Sequence, residues 1–194
     1  MSKVRQPVRP EKKSIWYNRK TRSITVWAIE IIITLALSAV FAFAFCSSVT
    51  IQESSMDPTI ATGESVLVDR LARILPLPGI RRGDLIVYRG TGMTDTSLHV
   101  KRVIGLPGEK IEIRNGQIRI NDTVYNDVRE LPEMVSGGIA EGGINLAKDE
   151  YFVLGDNRNN SEDSRHSEIG NIRKDRILGK AWLVILPFSK IRFL

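Results

Sequence analysis

The sequence predicts a mostly β protein, in which one membrane-spanning helix near the amino terminus precedes a single antiparallel-sheet domain. Two observations support this prediction. Between Ile31 and Val49 the 194-residue chain has no charged residue. After that run come short apolar segments separated by Gly, Pro, Asn and Asp, a pattern typical of strands joined by turns. We therefore divide the chain into a basic tail (1–23), a transmembrane helix (24–50) and an outer domain (51–194).

The apolar run is long enough to cross a bilayer, since a helix needs about 20 residues to span ~30 Å of hydrocarbon. Glu30 lies near its amino end, where the carboxylate reaches the headgroups. The run exceeds the apolar core of about 7–15 residues found in removable signal sequences. Ala42-Phe43-Ala44 nevertheless resembles a cleavage site, so removal remains an alternative. Cys46 is the only cysteine, which excludes an intrachain disulfide.

The charges before the run predict its orientation. Basic residues collect on the cytoplasmic side of membrane helices. The tail contains only one acid, Glu11, and the following basic residues: Lys3, Arg5, Arg9, Lys12, Lys13, Arg19, Lys20 and Arg22. We therefore expect a single-pass protein of the cell membrane with the tail in the cytoplasm and the domain outside. Most of the net charge of +6 comes from this tail, and anionic lipid accounts for it without a nucleic-acid partner.

The outer domain is predicted to consist of short strands. Lys110–Arg114 and Gln117–Ile120 alternate apolar and polar residues, and Asn115-Gly116 between them is a strong hairpin signal. The other predicted strands are 65–68, 84–88, 99–105, 151–154 and 181–185. Only 64–75 has a competing helical pattern. The glycine-rich segment Leu131–Leu146 is interpreted as a flexible insertion, either a mobile surface loop or the rim of a substrate site.

Ser55 and Lys101 form a candidate catalytic pair. A serine hydroxyl needs a base to take its proton, and the two histidines, His99 and His166, are interpreted as polar strand and loop residues. A lysine amine serves as a base only if burial lowers its pKa from ~10.4 to ~7–8. Strand alternation places Lys101 on the face of His99 and Arg102 on the opposite face, away from the amine. The alternatives are a turn at Ser55 and a solvated lysine.

Five segments resemble those of the type I signal peptidases, a family that uses a Ser–Lys dyad. In chain order they are Ser55-Met56-Asp57-Pro58-Thr59, Gly63–Val68, Arg82–Val87, Val100–Gly108 and Gly155–Arg165. One such segment alone would carry little weight, whereas five in order behind an amino-terminal span are a specific signal. The resemblance covers most of the outer domain. It implies a serine endopeptidase that removes signal peptides from exported pre-proteins.

The resemblance also implies a role for each matching residue. Ser55 would attack the scissile carbonyl with Lys101 as the general base, and the Ser55 N–H would donate to the oxyanion. The supporting residues would be Ser161 against the lysine amine, Asp163 paired with Arg165 and also with Arg102, and Met56 beside a small substrate side chain.

Glu53 departs from the family's pattern. Some members carry a hydroxyl two positions before the nucleophile, where it donates a second hydrogen bond to the oxyanion. An ionised carboxylate can only accept hydrogen bonds. A main-chain N–H or a water molecule would have to replace that donor.

Two other functions and a metal site are alternatives. A non-catalytic relative that assembles surface or pilus subunits would not need the pair Ser55 and Lys101. A self-cleaving regulator on the related Ser–Lys fold would carry a DNA-binding domain, for which there is no signal. The oxygen-rich segment 156–163 suggests calcium, but Arg158 and Ser161 replace an oxygen ligand and a glycine that an EF-hand-like loop needs. We therefore expect no metal and no cofactor.

Overall fold

The computed structural model describes residues 19–71, 79–90, 97–127 and 131–194. The chain separates into two compact units, of which the first ends at Ala44 and the second runs from Phe45 to Leu194. Of the predicted basic tail, only residues 19–23 are described. The helical pattern at 64–75 and the loops near residues 91–96 and 128–130 also fall partly outside the described residues.

The described residues of the first unit form one helix, α1, which runs from Arg19 to Phe45 and so ends one residue into the second unit. At 1.5 Å per residue its length is about 40 Å, and its segment Ser23–Val40 is long and apolar enough to cross a membrane. The helix ends before residue 50, the predicted boundary, because Cys46–Thr50 form a strand. The hydroxyl-bearing and β-branched residues of that segment favour extended backbone once a partner strand is available.

The second unit contains twelve strands among its described residues. They are β1 (Cys46–Thr50), β2 (Ser65–Asp69), β3 (Leu85–Arg89), β4 (Leu98–Gly105), β5 (Lys110–Arg114), β6 (Gln117–Ile120), β7 (Thr123–Val124), β8 (Ile144–Asn145), β9 (Glu150–Leu154), β10 (Ile172–Arg173), β11 (Ile177–Leu186) and β12 (Arg192–Phe193). Each predicted strand corresponds to one of these.

The strands form two antiparallel sheets. The larger sheet has the order β1-β2-β11-β3-β4-β9-β10, with β12 also paired to β11, and the smaller has the order β7-β6-β5-β8. Every strand pairing in both sheets is antiparallel. The prediction of a mostly β, antiparallel domain is therefore confirmed.

The central strand β3 is buried on both faces of the larger sheet. Leu85 and Val87 pack into one apolar cluster, and Ile86 and Tyr88 pack into another. Successive side chains on a strand point to opposite faces, so two separate cores cover the sheet here. The neighbouring strand β4 is therefore held rigidly, and it carries Lys101.

Two local predictions have different outcomes. Asn115 and Gly116 have φ angles of 50° and 74°, as the predicted tight hairpin turn requires. The helical pattern at 64–75 is wrong where Ser65–Asp69 forms β2. The pairing of β2 with β1 and β11 determines its conformation, because backbone groups in a sheet must find partners.

The glycine-rich segment 131–146 packs on the smaller sheet. It contains a 3-10 helix, Gly138–Gly142, followed by β8. Met134, Ala140 and Leu146 are buried among the isoleucines of β5 and β6. These anchors hold the segment against the core of the domain, and its exposed residues lie at the edge of a large cavity described below.

Candidate active site

Ser55 lies in a turn that follows β1. The Asp57 N–H donates to the Ser54 carbonyl at 3.2 Å, and the Ile60 N–H donates to the Met56 carbonyl at 3.0 Å. The side chains of Met56 and Ile60 are fully buried in the core. The turn is thus fixed by apolar anchors on the carboxyl side of Ser55, whose own side chain borders the cavity.

Lys101 reaches this turn from the middle of β4. Its side chain is only 1% exposed, and Ile86 of β3 lies opposite it in the sheet register. The Lys101 Nζ lies 2.5 Å from the Ser55 Oγ. The structure therefore brings the two candidate catalytic side chains within hydrogen-bond distance, 46 residues apart in the chain.

A third ionisable group, Glu53, contacts both members of this pair. Its Oε2 accepts hydrogen bonds from Lys101 Nζ at 3.0 Å and from Ser55 Oγ at 3.3 Å. Its Oε1 lies 2.5 Å from the His99 Nδ1. The hydrogen bond from His99, followed by the charge of Lys101, lowers the pKa of Glu53 to about 2 against the opposing effect of burial. The carboxylate is therefore ionised at neutral pH.

Asp156 connects the strand of Lys101 to the turn of Ser55. Its carboxylate is fully buried. It accepts hydrogen bonds from Arg102 Nε at 2.8 Å and Arg102 Nη2 at 2.5 Å, and from Thr59 Oγ1 at 2.6 Å. Arg102 also donates to the Gly83 carbonyl at 2.7 Å. Arg102 follows Lys101 in β4, and Thr59 belongs to the same turn as Ser55, so one carboxylate fixes both sides of the pair.

The expected pairing of Arg102 with Asp163 is therefore wrong, since Arg102 binds Asp156. The reason is the sheet register. Arg102 lies opposite Leu154 of β9, and Asp156 is the first acidic residue after that strand. The expected alternation on β4 does hold, because the Arg102 side chain leaves the face on which Lys101 meets Ser55.

Asp163 contacts Arg165, as the resemblance implied. Arg165 Nε and Nη2 donate to the two Asp163 oxygens at 2.8 and 2.9 Å. Asp163 Oδ2 also accepts the Gly155 N–H at 3.1 Å. Arg165 donates further to the carbonyls of Arg158 and Ser136 at 2.5 and 3.2 Å. The pair thus closes the loop after β9 and ties it to the segment 131–146.

Ser161 does not bond the lysine amine in this structure. Its hydroxyl is buried and has no hydrogen-bond partner among the described residues. It packs against Gly155, where a Cβ atom would lie 2.2 Å from the Ser161 Oγ and 2.5 Å from the Ser55 carbonyl oxygen. The Asn157 N–H donates to that same carbonyl at 3.0 Å. The loop after β9 therefore packs directly on the backbone of Ser55.

Met56 is not a substrate contact in this structure. Its side chain has 0% exposure and belongs to the apolar cluster with Ile51 and Val66. A side chain with no exposed surface cannot line a binding pocket. Alternation along the turn explains the difference, because the backbone that presents Ser55 to the cavity directs its neighbour into the core.

Arg192 supports the Ser55 turn from the far end of the domain. It donates to the Thr59 carbonyl at 2.7 Å and to the buried Glu64 Oε2 at 2.6 Å. This hydrogen bond is the main reason that the pKa of Glu64 is lowered. Strand β12, which carries Arg192, is thereby joined to the segment on which the candidate nucleophile sits.

An open cavity of about 1150 Å³ adjoins Ser55. Its walls come from the segment before Ser55, from β3 and β4, from the glycine-rich segment and from the loop after β9. The residues that line it include Gln52, Glu53, Ser55, Tyr88, His99, Val135, Ser136, Gly138, Asn159, Asn160 and Ser161. Within the described residues, no group of three or more His, Cys, Asp or Glu side chains could hold a metal ion.

A much smaller depression, of about 10 Å³, also borders Ser55. Ile51, Leu98 and Val100 form its apolar walls, with Gln52 and Glu53 at its edge. That volume accommodates a group about the size of one water molecule. A hydroxyl beside a buried amine, bordered by a groove and a shallow apolar depression, is an arrangement suited to attack on a peptide carbonyl.

Sequence reasoning assigned no role to Thr59, His99, Asp156 and Arg192, which all contact the site or its supporting turn. The position of His99 two residues before Lys101 on a strand was a usable signal, because it places both on one face. Nothing local indicates which base Asp156 binds, since that pairing depends on the register between β4 and β9.

Comparison with known proteins shows a match to the family described as signal peptidase, peptidase S26, over residues 24–186. The chain is 35% identical to signal peptidase I U of Bacillus subtilis over 190 residues, which cover 93% of this chain and 97% of that protein. It is 33% identical to a signal peptidase I of Bacillus amyloliquefaciens, with 90% and 91% covered. A crystal structure of a signal peptidase I from Enterococcus faecalis, 27% identical, matches 52% of this chain and 95% of that one with a TM-score of 0.43.

We expect Asp156→Asn to destabilise the domain strongly. The change leaves the Arg102 guanidinium buried without its counter-charge, which costs about 3 kcal/mol or more. The free energy of unfolding, followed by tryptophan fluorescence in urea, measures the effect. Asp122→Asn is the matched control, because Asp122 pairs with Lys110 at the exposed surface and should unfold like the unmodified protein. Equal stability of the two variants would contradict a supporting role for Asp156.

Proposed function

The chain belongs to the signal peptidase family, peptidase S26, and from this membership we propose that Ser55 and Lys101 cleave signal peptides from exported pre-proteins. Membership makes the protein a serine peptidase, a hydrolase of the signal peptidase I type. The observation that carries the assignment of the two residues is the 2.5 Å distance between Lys101 Nζ and Ser55 Oγ.

The proposed reaction begins with Lys101 uncharged. The amine accepts the Ser55 proton as Oγ attacks the carbonyl carbon before the scissile bond. The resulting ammonium then donates that proton to the leaving amine, and the C–N bond breaks. A water molecule, deprotonated by the same amine, attacks the acyl ester, and the ammonium returns the proton to Ser55 Oγ as the ester bond breaks. A single amine beside the hydroxyl is sufficient for both proton transfers.

The oxyanion would be stabilised by the Ser55 N–H as one donor. Glu53 does not provide the second donor, because its ionised carboxylate only accepts hydrogen bonds. Ser161 has a buried hydroxyl without a partner among the described residues, which leaves it available to the Lys101 amine once the ammonium has lost a proton. Asp163 and Arg165 hold the loop that carries Ser161.

The helix α1 is proposed as a single membrane anchor with the amino-terminal tail in the cytoplasm and the peptidase domain on the extracytoplasmic side. The length and composition of Ser23–Val40 support the anchor, and the basic residues before it support the orientation. A signal peptide held in the same bilayer by its own apolar segment meets the enzyme at a raised effective concentration.

The shallow apolar depression beside Ser55 is proposed to receive the residue just before the cleaved bond. Its walls, Ile51, Leu98 and Val100, leave room for a methyl group. A preference for small side chains at that position follows from its size. The larger cavity would receive the rest of the extended substrate.

We expect Ser55→Ala and Lys101→Ala each to reduce cleavage by about 10⁴-fold or more, since each removes one half of a unit that acts together. The measurement is conversion of a purified pre-protein to its mature form by the full chain in detergent. Cys46→Ala and Lys110→Ala, which change residues outside the site, should cleave normally. Activity retained in either of the first two variants would reject the assignment.

We expect Leu98→Ala to relax the preference for small residues before the cleaved bond. Widening an apolar pocket by several methylene groups raises kcat/KM for a valine substrate relative to an alanine substrate by about tenfold. The measurement is the ratio of kcat/KM for two otherwise identical peptides. Leu186→Ala is the control, because Leu186 and Leu98 are both 40% exposed. An unchanged ratio in the Leu98 variant would show that the depression does not receive this residue.

A further inference from the structure

Glu53 is placed where the proposed reaction has no use for a carboxylate. Its Oε2 lies 3.0 Å from Lys101 Nζ and 3.3 Å from Ser55 Oγ. It is thus in hydrogen-bond contact with both reacting groups, and its side chain remains 40% exposed to the cavity. A carboxylate at this position affects both the charge of the amine and the direction of the hydroxyl hydrogen.

The contact favours the resting form of the pair in two ways. A negative charge 3.0 Å from the amine stabilises the ammonium form of Lys101. Ser55 has a single O–H, and when that O–H donates to Glu53 it cannot donate to the amine. The productive arrangement requires the reverse, with Lys101 neutral and accepting the Ser55 proton. Glu53 therefore opposes the first step of the reaction.

His99 holds the Glu53 carboxylate in this position. The His99 Nδ1 lies 2.5 Å from Glu53 Oε1, and its other nitrogen lies 2.7 Å from the Ser97 Oγ. The imidazole also contacts the Tyr88 ring, with centroids 5.6 Å apart. His99 and Lys101 lie two residues apart on one face of β4, so the strand aims both side chains at the same carboxylate.

Other charged groups lie on the cavity wall, and two of them, Arg158 and Arg165, pair with Asp127 and Asp163. On β3, the residues opposite Lys101 and His99 are Ile86, which is apolar, and Tyr88, which carries a phenol. The charged or titratable residues on the rest of the wall are Arg158, Glu162, Arg165, His166 and Glu168. The causes of the low pKa of Glu53 are the hydrogen bonds and charges of His99 and Lys101.

We propose that Glu53 and His99 are positioning residues that set the pH range in which Lys101 acts as the base. At lower pH, Glu53, held by His99, keeps the Lys101 amine charged and directs the Ser55 hydroxyl hydrogen away from it. Activity therefore begins only under more alkaline conditions. This inference rests on the proposed function, in which a neutral Lys101 takes the Ser55 proton.

The test is the dependence of kcat/KM on pH for the full chain in detergent with a fixed pre-protein substrate. In Glu53→Gln the shape of the side chain is kept and the charge is lost. We expect the midpoint of the acid limb to move about one pH unit lower, the effect of removing one opposite charge at contact distance. An unmoved or raised midpoint, or loss of activity at every pH, would overturn the proposal.

His99→Phe tests the second member, because phenylalanine keeps the contact with Tyr88 and removes the hydrogen bond to Glu53. In the otherwise unmodified chain, we expect this change to lower the midpoint of the acid limb by about half a pH unit or more. In the Glu53→Gln background, we expect no change in the midpoint. No movement in the unmodified chain, or the same movement in both backgrounds, would exclude a role exerted through Glu53.

Glu133→Gln is the matched control. It removes one exposed carboxylate outside the cavity, and its midpoint should equal that of the unmodified chain. The experiment separates the two proposals, because absence of cleavage by the unmodified chain would contradict the proposed function. Normal cleavage with an unmoved midpoint in Glu53→Gln would contradict only the role of Glu53.

Discussion

The site depends on one buried carboxylate, that of Asp156. It joins Arg102, next to Lys101 on a central strand, to Thr59, in the turn that presents Ser55. Removing a carboxylate and a guanidinium from water is costly, and the cost is recovered only when most of their hydrogen-bonding capacity is used. Both Asp156 oxygens accept from Arg102, and one also accepts from Thr59. The separation of Ser55 and Lys101 is thus supported by a contact that involves neither of them.

The chain places two basic residues side by side on β4, and their side chains contact different carboxylates. Arg102 carries a permanent charge, and its planar fork binds Asp156 through two hydrogen bonds. Lys101 has a compact amine whose charge can change, and its partner Glu53 is partly open to the cavity. The buried ion pair of Arg102 and Asp156 therefore holds one face of the strand in place.

Much of the fold was predictable from local pattern, and the exceptions have physical causes. The hairpin at Asn115-Gly116 and the strands of the central sheet follow from turn chemistry and alternation, which act within a few residues. β1 was missed because its apolar residues continue the run that forms α1, and only the pairing with β2 distinguishes strand from helix. Very short strands such as β12 have no periodicity to detect.

The candidate site was predictable to a similar degree. Residue type and spacing made Ser55 and Lys101 only candidates, and the resemblance to the signal peptidases selected them together with the Asp163–Arg165 contact, which spans two residues. The contacts of Arg102, Ser161 and Met56 could not be predicted from the sequence, because each depends on how distant strands and turns pack. Register between β4 and β9 selects Asp156, and the direction of the turn at Ser55 buries Met56.

Arg192 joins the short strand β12 to the segment that carries Ser55. The residue lies on the two-residue strand β12, yet it donates hydrogen bonds to the Thr59 carbonyl and to Glu64, close in sequence to Ser55. Proteolytic cleavage near β12 would remove these hydrogen bonds. The turn that carries Ser55 would then be less firmly held, although Ser55 itself would be unchanged.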